Sequence, residues 1–305
     1  MTMRQTLDVI DLLDGPDASG AAVADYLRRA GVADVTVTTV AGEHGGSTDF
    51  VRARLRGADR AAPVLGIVGC LGGVGARPER TGLVSDADGA IAAIAAAAKL
   101  AAMAGRGDRV PGDVIVTTHI CPRAPVRPHD PVPFMGSPVS MEVANRHLVD
   151  PAMGALLSID TSRGNRLLNR RGVAISPTVC QGYILRVSED LLDILEWTSG
   201  ELPLVLPITM QDITPYGNGV YHFNSILQPS VATEAPVVGV AITAQAAVPG
   251  AASGASQPAE IELAARFAVE VAKAYGIGRA RFHDPAELQR MQALYGPMTR
   301  LQGSG

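Results

Sequence analysis

Apolar positions fall three apart at the start of the chain, where Leu7, Ile10 and Leu13 predict a short amphipathic helix. Asp17 or Ser19 can cap a second helix with Val23, Tyr26 and Leu27 on its buried face. The period then changes. Val35–Val40 is β-branched throughout, and Phe50–Leu55 alternates apolar side chains with Arg, so both predict strands, the second wet on one face.

Val64–Val68 reads as a short buried strand that runs into the glycine-rich stretch GCLGGVGARPERTG. Ala90–Met103 is helical by propensity and is stopped by Gly105 and Gly107. Asp113–Thr118 is the next buried strand, and strand–helix–strand in this order predicts a right-handed crossover in a mostly parallel sheet. Cys121–Pro138 holds six prolines and cannot be a helix or a central strand, so it is expected to be a long ordered loop. Further strands are expected at Leu156–Ile159, Ile184–Val187, Leu204–Thr209 and Val237–Thr243, with helices at Glu189–Thr198 and Glu260–Tyr275. The expected fold is one α/β domain over residues 1–305, with a central mixed, mostly parallel sheet, helices on both faces and a Pro-rich insertion at 121–150.

Composition narrows the function classes. With 47% hydrophobic and 18% charged residues and a mean hydropathy of +0.18, the chain can bury a large core. Aromatics are only 4%, so that core is built from small and aliphatic side chains. A net charge of −4 with no basic stripe argues against nucleic acid, and the cluster Arg163, Arg166, Arg170 and Arg171 reads as a solvated loop. No apolar run reaches the roughly 18 residues of a membrane span. The acidic, amphipathic N-terminus is unlike a secretory leader. Cys70, Cys121 and Cys180 are odd in number and unspaced, which fits a reducing, cytoplasmic setting. Val132, Phe134 and Met135 in the Pro-rich loop suit a subunit contact, so a homo-oligomer is expected.

Several residues could carry chemistry. His119 and Cys121 lie two apart at the carboxyl end of a predicted buried strand, where open α/β sheets collect ligands. Both are competent metal ligands or nucleophile–base partners, although a buried Cys is also an ordinary core residue. Asp86 and Asp88 stand just before a helix and could equally cap it. His129-Asp130 is a polar pair held between prolines, and Asp212 and His222, flanking the turn at Gly217-Asn218-Gly219, could form a second acid–base pair. The glycine-rich stretch lacks the Gly-Lys-Ser/Thr ending of a phosphate loop.

The order of these segments resembles the co-catalytic zinc exopeptidases. The carrying features are the SGAAVADYLRRAG helix, the strand PVLGIVG, the Asp-x-x-Gly of SDADG, the strand of DVIVTTHICP, LLSIDT, and PVVGVAITAQAAVPGAASG before a helix. That resemblance implies a small-molecule substrate and hydrolysis of an amide or peptide-like bond. It also implies a divalent metal, zinc or manganese, with Asp86 at the bridging position, Asp160 as a further acidic ligand and His119 as ligand or general base. The sequence departs from the pattern at three places. It reads Cys70-Leu71-Gly72 for His-x-Asp and His119-Ile120-Cys121 for Glu-Glu, and has no final His between Ala251 and Gln257. A metal-free lyase or isomerase using His119 or Cys121, and a non-catalytic binding or assembly protein with a degenerate site, therefore stay open. The phrases GARPE, SDADGA, THICP, HDPVPFMGSP and QDITPYGNG also resemble a bacterial and archaeal family, a domain of unknown function.

Overall fold

The computed structural model describes residues 1–15, 17–43, 45–70, 83–127, 134–162, 164–245 and 256–303. Two helices lead, α1 (Met3–Asp14) and α2 (Gly20–Arg29), the second capped by the Ser19 hydroxyl on Ala22 N. Then come β1 (Asp34–Ala41), β2 (Ser47–Leu55), β3 (Leu65–Gly69), α3 (Asp88–Ala104), β4 (Val114–Ile120), β5 (Val126–Arg127), β6 (Phe134–Met135) and α4 (Met141–Leu148). The second half holds β7 (Ala155–Ser162), β8 (Gly172–Ile175), β9 (Val179–Cys180), β10 (Tyr183–Ile184), α5 (Glu189–Ser199), β11 (Leu204–Val205), β12 (Val237–Thr243), α6 (Pro258–Tyr275) and α7 (Pro285–Tyr295).

The main sheet runs β1-β2-β4-β3-β7-β12-β8-β11. Its centre, β4-β3-β7-β12, is parallel, and antiparallel strands flank it on both sides. The central strands are buried on both faces, so they read as unbroken apolar runs rather than as alternations. Side chains alternate all the same. Ile67, Val114, Val116, Leu157 and Val240 face a helical layer of α1, α2, α3, α5 and α6. Val68, Ile115 and Leu156 face the other way, toward α4. Helices thus cover both faces, unequally.

Two expected strands are cut short. The expected strand Ile184–Val187 is reduced to Tyr183–Ile184, paired with β9, and Leu204–Thr209 to Leu204–Val205, paired with Ala174 and Ile175 of β8. In the Pro-rich insertion, β5 and β6 pair with each other off the main sheet, and α4 follows, capped by Ser140. His129, Asp130 and Val132 lie outside the described residues. Among the described residues no helix is long and apolar enough to cross a membrane.

Candidate active site

One row of side chains crosses the sheet at the carboxyl ends of its parallel strands. Phe50 pairs with His119, Asp160 with Ala241, and Ala241 with Ala174. One step past the paired Thr118, Gly69 and Ile159, the same register aligns His119, Cys70 and Asp160 on adjacent strands β4, β3 and β7. All three point to the face away from α3, as the packing of Cys70 with Phe50 and Val68 shows. Strand spacing puts the backbones of His119 and Asp160 about 10 Å apart, with the Cys70 thiol between them. This is the edge where open α/β sheets bind ligands.

The start of α3 closes on this edge. Gly89 lies against the carbonyls of Cys70 and Ile159, so the Asp86-x-x-Gly89 motif sits directly over the ends of β3 and β7. The acids there feel one another. Burial, then the Asp86 charge, pushes the Asp160 carboxyl up to about 8, against the lowering effect of hydrogen bonds from Thr161 N (2.7 Å) and the Ser225 hydroxyl (3.0 Å). Burial also lifts Asp88 to about 7, although its Oδ1 accepts from the Ser256 hydroxyl at 2.6 Å, and the Asp86 charge adds to the rise. Ala87, the cap residue of α3, makes no side-chain capping bond, so Asp88 opens the helix as its first residue. The Cys70 thiol, 3.1 Å from the Ser158 hydroxyl, is pushed up to about 12 by burial and the Asp160 charge.

His119 stands apart from the acids electrically. Burial alone lowers it to about 4, so at neutral pH the ring is uncharged. Its Nδ1 is 3.0 Å from the Thr48 hydroxyl, and Phe50 lies tilted beside the ring at 5.6 Å, itself stacked on His147 at 4.6 Å. Any ligand contact therefore falls to Nε2. Because the folded state refuses the proton that the unfolded chain accepts near pH 6.5, stability is expected to fall as pH drops from about 6.5 to 4, by roughly 3 kcal/mol in all. A His119→Gln variant should lose this part of the acid limb in thermal unfolding scans; an unchanged limb would assign it to other groups.

Cys121 turns to its own small cluster with Val84 and Ala124, and its thiol, pushed up to about 11 by burial, lies 3.5 Å from Ser47 O. Asp212 is fully buried and its carboxylate is saturated. Thr209 N and Oγ1 bind one oxygen at 2.8 and 3.2 Å, and Phe223 N and Asn224 N the other at 2.7 and 2.8 Å. His222 stacks on Tyr216 at 4.2 Å, with Nδ1 2.8 Å from Val220 O and Nε2 3.1 Å from Thr214 O. Asp212 and His222 thus use their polar atoms inside the 209–225 loop. Asp212→Ala is expected to cost about 3 kcal/mol by orphaning its donors. The loss should appear as faster hydrogen exchange at Phe223 and Asn224; unchanged protection there would refute the assignment.

The loop nonetheless reaches the edge through its end. Ser225 binds Asp160, and the Tyr216 hydroxyl is hydrogen-bonded to Ser225. Cys70, Ser158, Ser225 and Tyr216 are site residues that sequence reasoning did not select. Only Cys70 carried a signal there, since it stands where the exopeptidase pattern places the His of His-x-Asp.

Among the described residues the donors do not make up a two-metal centre. A high-pKa thiol stands at position 70, and His119 spends Nδ1 on Thr48. Among the described residues no three His, Cys, Asp or Glu side chains converge closely enough to hold a metal ion. Residues 71–82 and 246–255, next to this edge in sequence, lie outside the described residues.

Solved structures with the same fold include the bottromycin maturation enzyme BotP, at TM-score 0.55 and 19% identity, covering 91% of this chain and 70% of that one. BotP in complex with Mn matches at TM-score 0.54 and 17% identity, over 89% of this chain and 71% of that one. The Caenorhabditis elegans leucine aminopeptidase LAP1 matches at TM-score 0.56 and 13% identity, over 92% of this chain and 66% of that one. The chain is therefore built on an aminopeptidase-like fold. A search of curated proteins finds no match. Residues 38–305 match the family described as "Protein of unknown function (DUF1177)", and the chain belongs to that family.

Proposed function

We propose that the chain is a small-molecule enzyme that hydrolyses an amide or peptide-like bond at the carboxyl edge of β3, β4 and β7. The observation that supports this reading is the convergence of Asp160 and the Asp86-x-x-Gly89 motif on the ends of β3 and β7, where burial and the Asp86 charge raise the Asp160 carboxyl to about 8. Two neighbouring carboxyl groups, one of them with a raised proton affinity, can divide the work of general acid and general base. Asp86 takes a proton from water as its oxygen attacks the carbonyl carbon. Asp160 gives its proton to the leaving nitrogen as the C–N bond breaks. Ser225 orients Asp160, and His119 offers Nε2 to the substrate from the far end of the row.

A second reading has one observation in its favour. The Asp86 charge raises the buried Asp88 and Asp160, and such crowding of acids is relieved by a divalent cation. The discriminating experiment combines elemental analysis of protein purified without chelator with turnover of a panel of dipeptides and N-acyl amino acids, before and after chelation. Hydrolysis that survives chelation and is lost in Asp160→Asn and Asp86→Asn supports acid–base hydrolysis by the chain's own groups. Hydrolysis abolished by chelation and restored by Mn²⁺ or Zn²⁺ supports the cation. A folded protein that turns over nothing in the panel under either condition counts against hydrolysis altogether.

A further inference from the structure

We propose that the pocket between α5, β11 and α6 is a binding site for a free α-amino acid with an apolar side chain. Its volume is about 270 Å³, just below the range of about 300–1,000 Å³ common for ligand pockets, which suits a ligand of amino-acid size. The wall has two characters. Leu195, Leu202 and Leu263 form an apolar part, while Arg171, Glu201, Glu260 and Arg266 bring charges of both signs, Glu201 being paired with Arg170.

Those charges are only half used. Glu260 gives Oε1 to Arg171, whose Nε and terminal nitrogen lie 3.0 and 2.8 Å away. Its other oxygen, Oε2, is buried with no hydrogen-bond partner among the described residues. Arg266 reaches Glu262 with one terminal nitrogen at 3.3 Å, yet its buried Nε is also without a partner there. Native proteins seldom leave such atoms unmatched. An unpaired acceptor and an unpaired donor of opposite charge, buried in two residues that line one cavity, would match a ligand that carries both a cation and an anion. The outer torsion of a Glu side chain is soft, so Oε2 can turn toward the cavity without backbone movement.

An α-amino acid meets these requirements on a single carbon. Its ammonium pairs with Glu260, its carboxylate with Arg266, and its side chain lies over the leucines. A metal ion would be repelled by the two guanidinium groups and a phosphate by Glu201 and Glu260. The site does not depend on the hydrolase reading, although the N-terminal end of α6 touches both places. Ser256 binds Asp88, while Gln257 and Glu260 hold Arg171.

Calorimetric titration of the full chain with L-leucine tests the proposal. Leucine should bind saturably at one site, and isocaproate (no amine), isoamylamine (no carboxylate) and glycine (no side chain) should each bind about tenfold more weakly or worse. Glu260→Gln and Arg266→Met should weaken leucine by a similar factor. Arg266 also braces Glu262, so Leu202→Asp, at a position 76% exposed, gives a variant whose fold is not at stake. The proposal is overturned by no saturable binding of leucine at millimolar concentration, by analogues that bind as well as leucine, or by unchanged binding in Glu260→Gln and Leu202→Asp.

Discussion

Gly89→Ala is expected to destabilise the protein by about 3 kcal/mol or more and to displace the acids at the start of α3. A Cβ at this position would fall on the carbonyl oxygen of Ile159 and come 2.8 Å from that of Cys70. Both obstacles are backbone atoms at the ends of central strands, held by neighbours on either side, and neither can step back as a side chain could. The helix must move instead, taking Asp86 and Asp88 with it. Gly69 meets the same surface from the sheet side, where a Cβ would lie 2.7 Å from Gly89 O. The natural control is Gly105→Ala at the other end of α3. That residue has φ −63° and its nearest obstacle is Ala101 O at 3.5 Å, so Ala should be neutral or slightly stabilising. Thermal unfolding of the two variants gives the comparison. Equal stability would mean that α3 and the sheet are not in register at the strand ends, and the site built on that contact would fall with it.

The same contact explains what could be read from the sequence. The Asp-x-x-Gly motif was visible as a pattern because its glycine is sterically required where a helix meets two strand ends. The central strands were visible too, since burial on both faces writes continuous apolar runs such as Val237–Thr243. The short strands were not, because two-residue pairings such as Leu204 with Ala174 are decided by what lies alongside and not by local preference. Helix α4 hid behind the prolines, although Ser140 and the apolar pair Ala144 and Leu148, four apart, mark it. Of the sequence candidates, Asp86 and Asp160, named by the resemblance, and His119, named by its position at a strand end, lie along one edge of the sheet. Asp212 and His222, which sequence proximity pairs, lie in one loop and spend their polar atoms on its backbone. The link from Ser225 to Asp160 spans 65 positions and leaves no local trace.

Asp160→Asn is expected to stabilise the metal-free protein at alkaline pH while removing its activity. Below about pH 4 the carboxyl is protonated in both folded and unfolded chains, and the residue is neutral toward pH. Between pH 4 and about 8 the unfolded chain gives up the proton while the folded site keeps it, so stability falls as pH rises. A carboxyl carried from near 4 to about 8 costs the folded state roughly 5 kcal/mol once pH exceeds 8. Asn is isosteric, has no proton to lose, and keeps an acceptor for Thr161 N and a polar partner for Ser225. Its melting temperature should therefore match wild type near pH 4 and exceed it by about 5–10 °C at pH 8. A gain in stability coupled to a loss of turnover is what separates a residue kept for chemistry from one kept for packing. An Asn variant less stable at every pH would make Asp160 a structural residue and remove the general acid from the proposed reaction. Repeating the pH 8 scan with Mn²⁺ or Zn²⁺ separates the two readings of the site. A cation held by these acids would favour the ionised carboxylate and raise the wild-type melting temperature but not that of the variant. No change in either would rule out a cation held by Asp160.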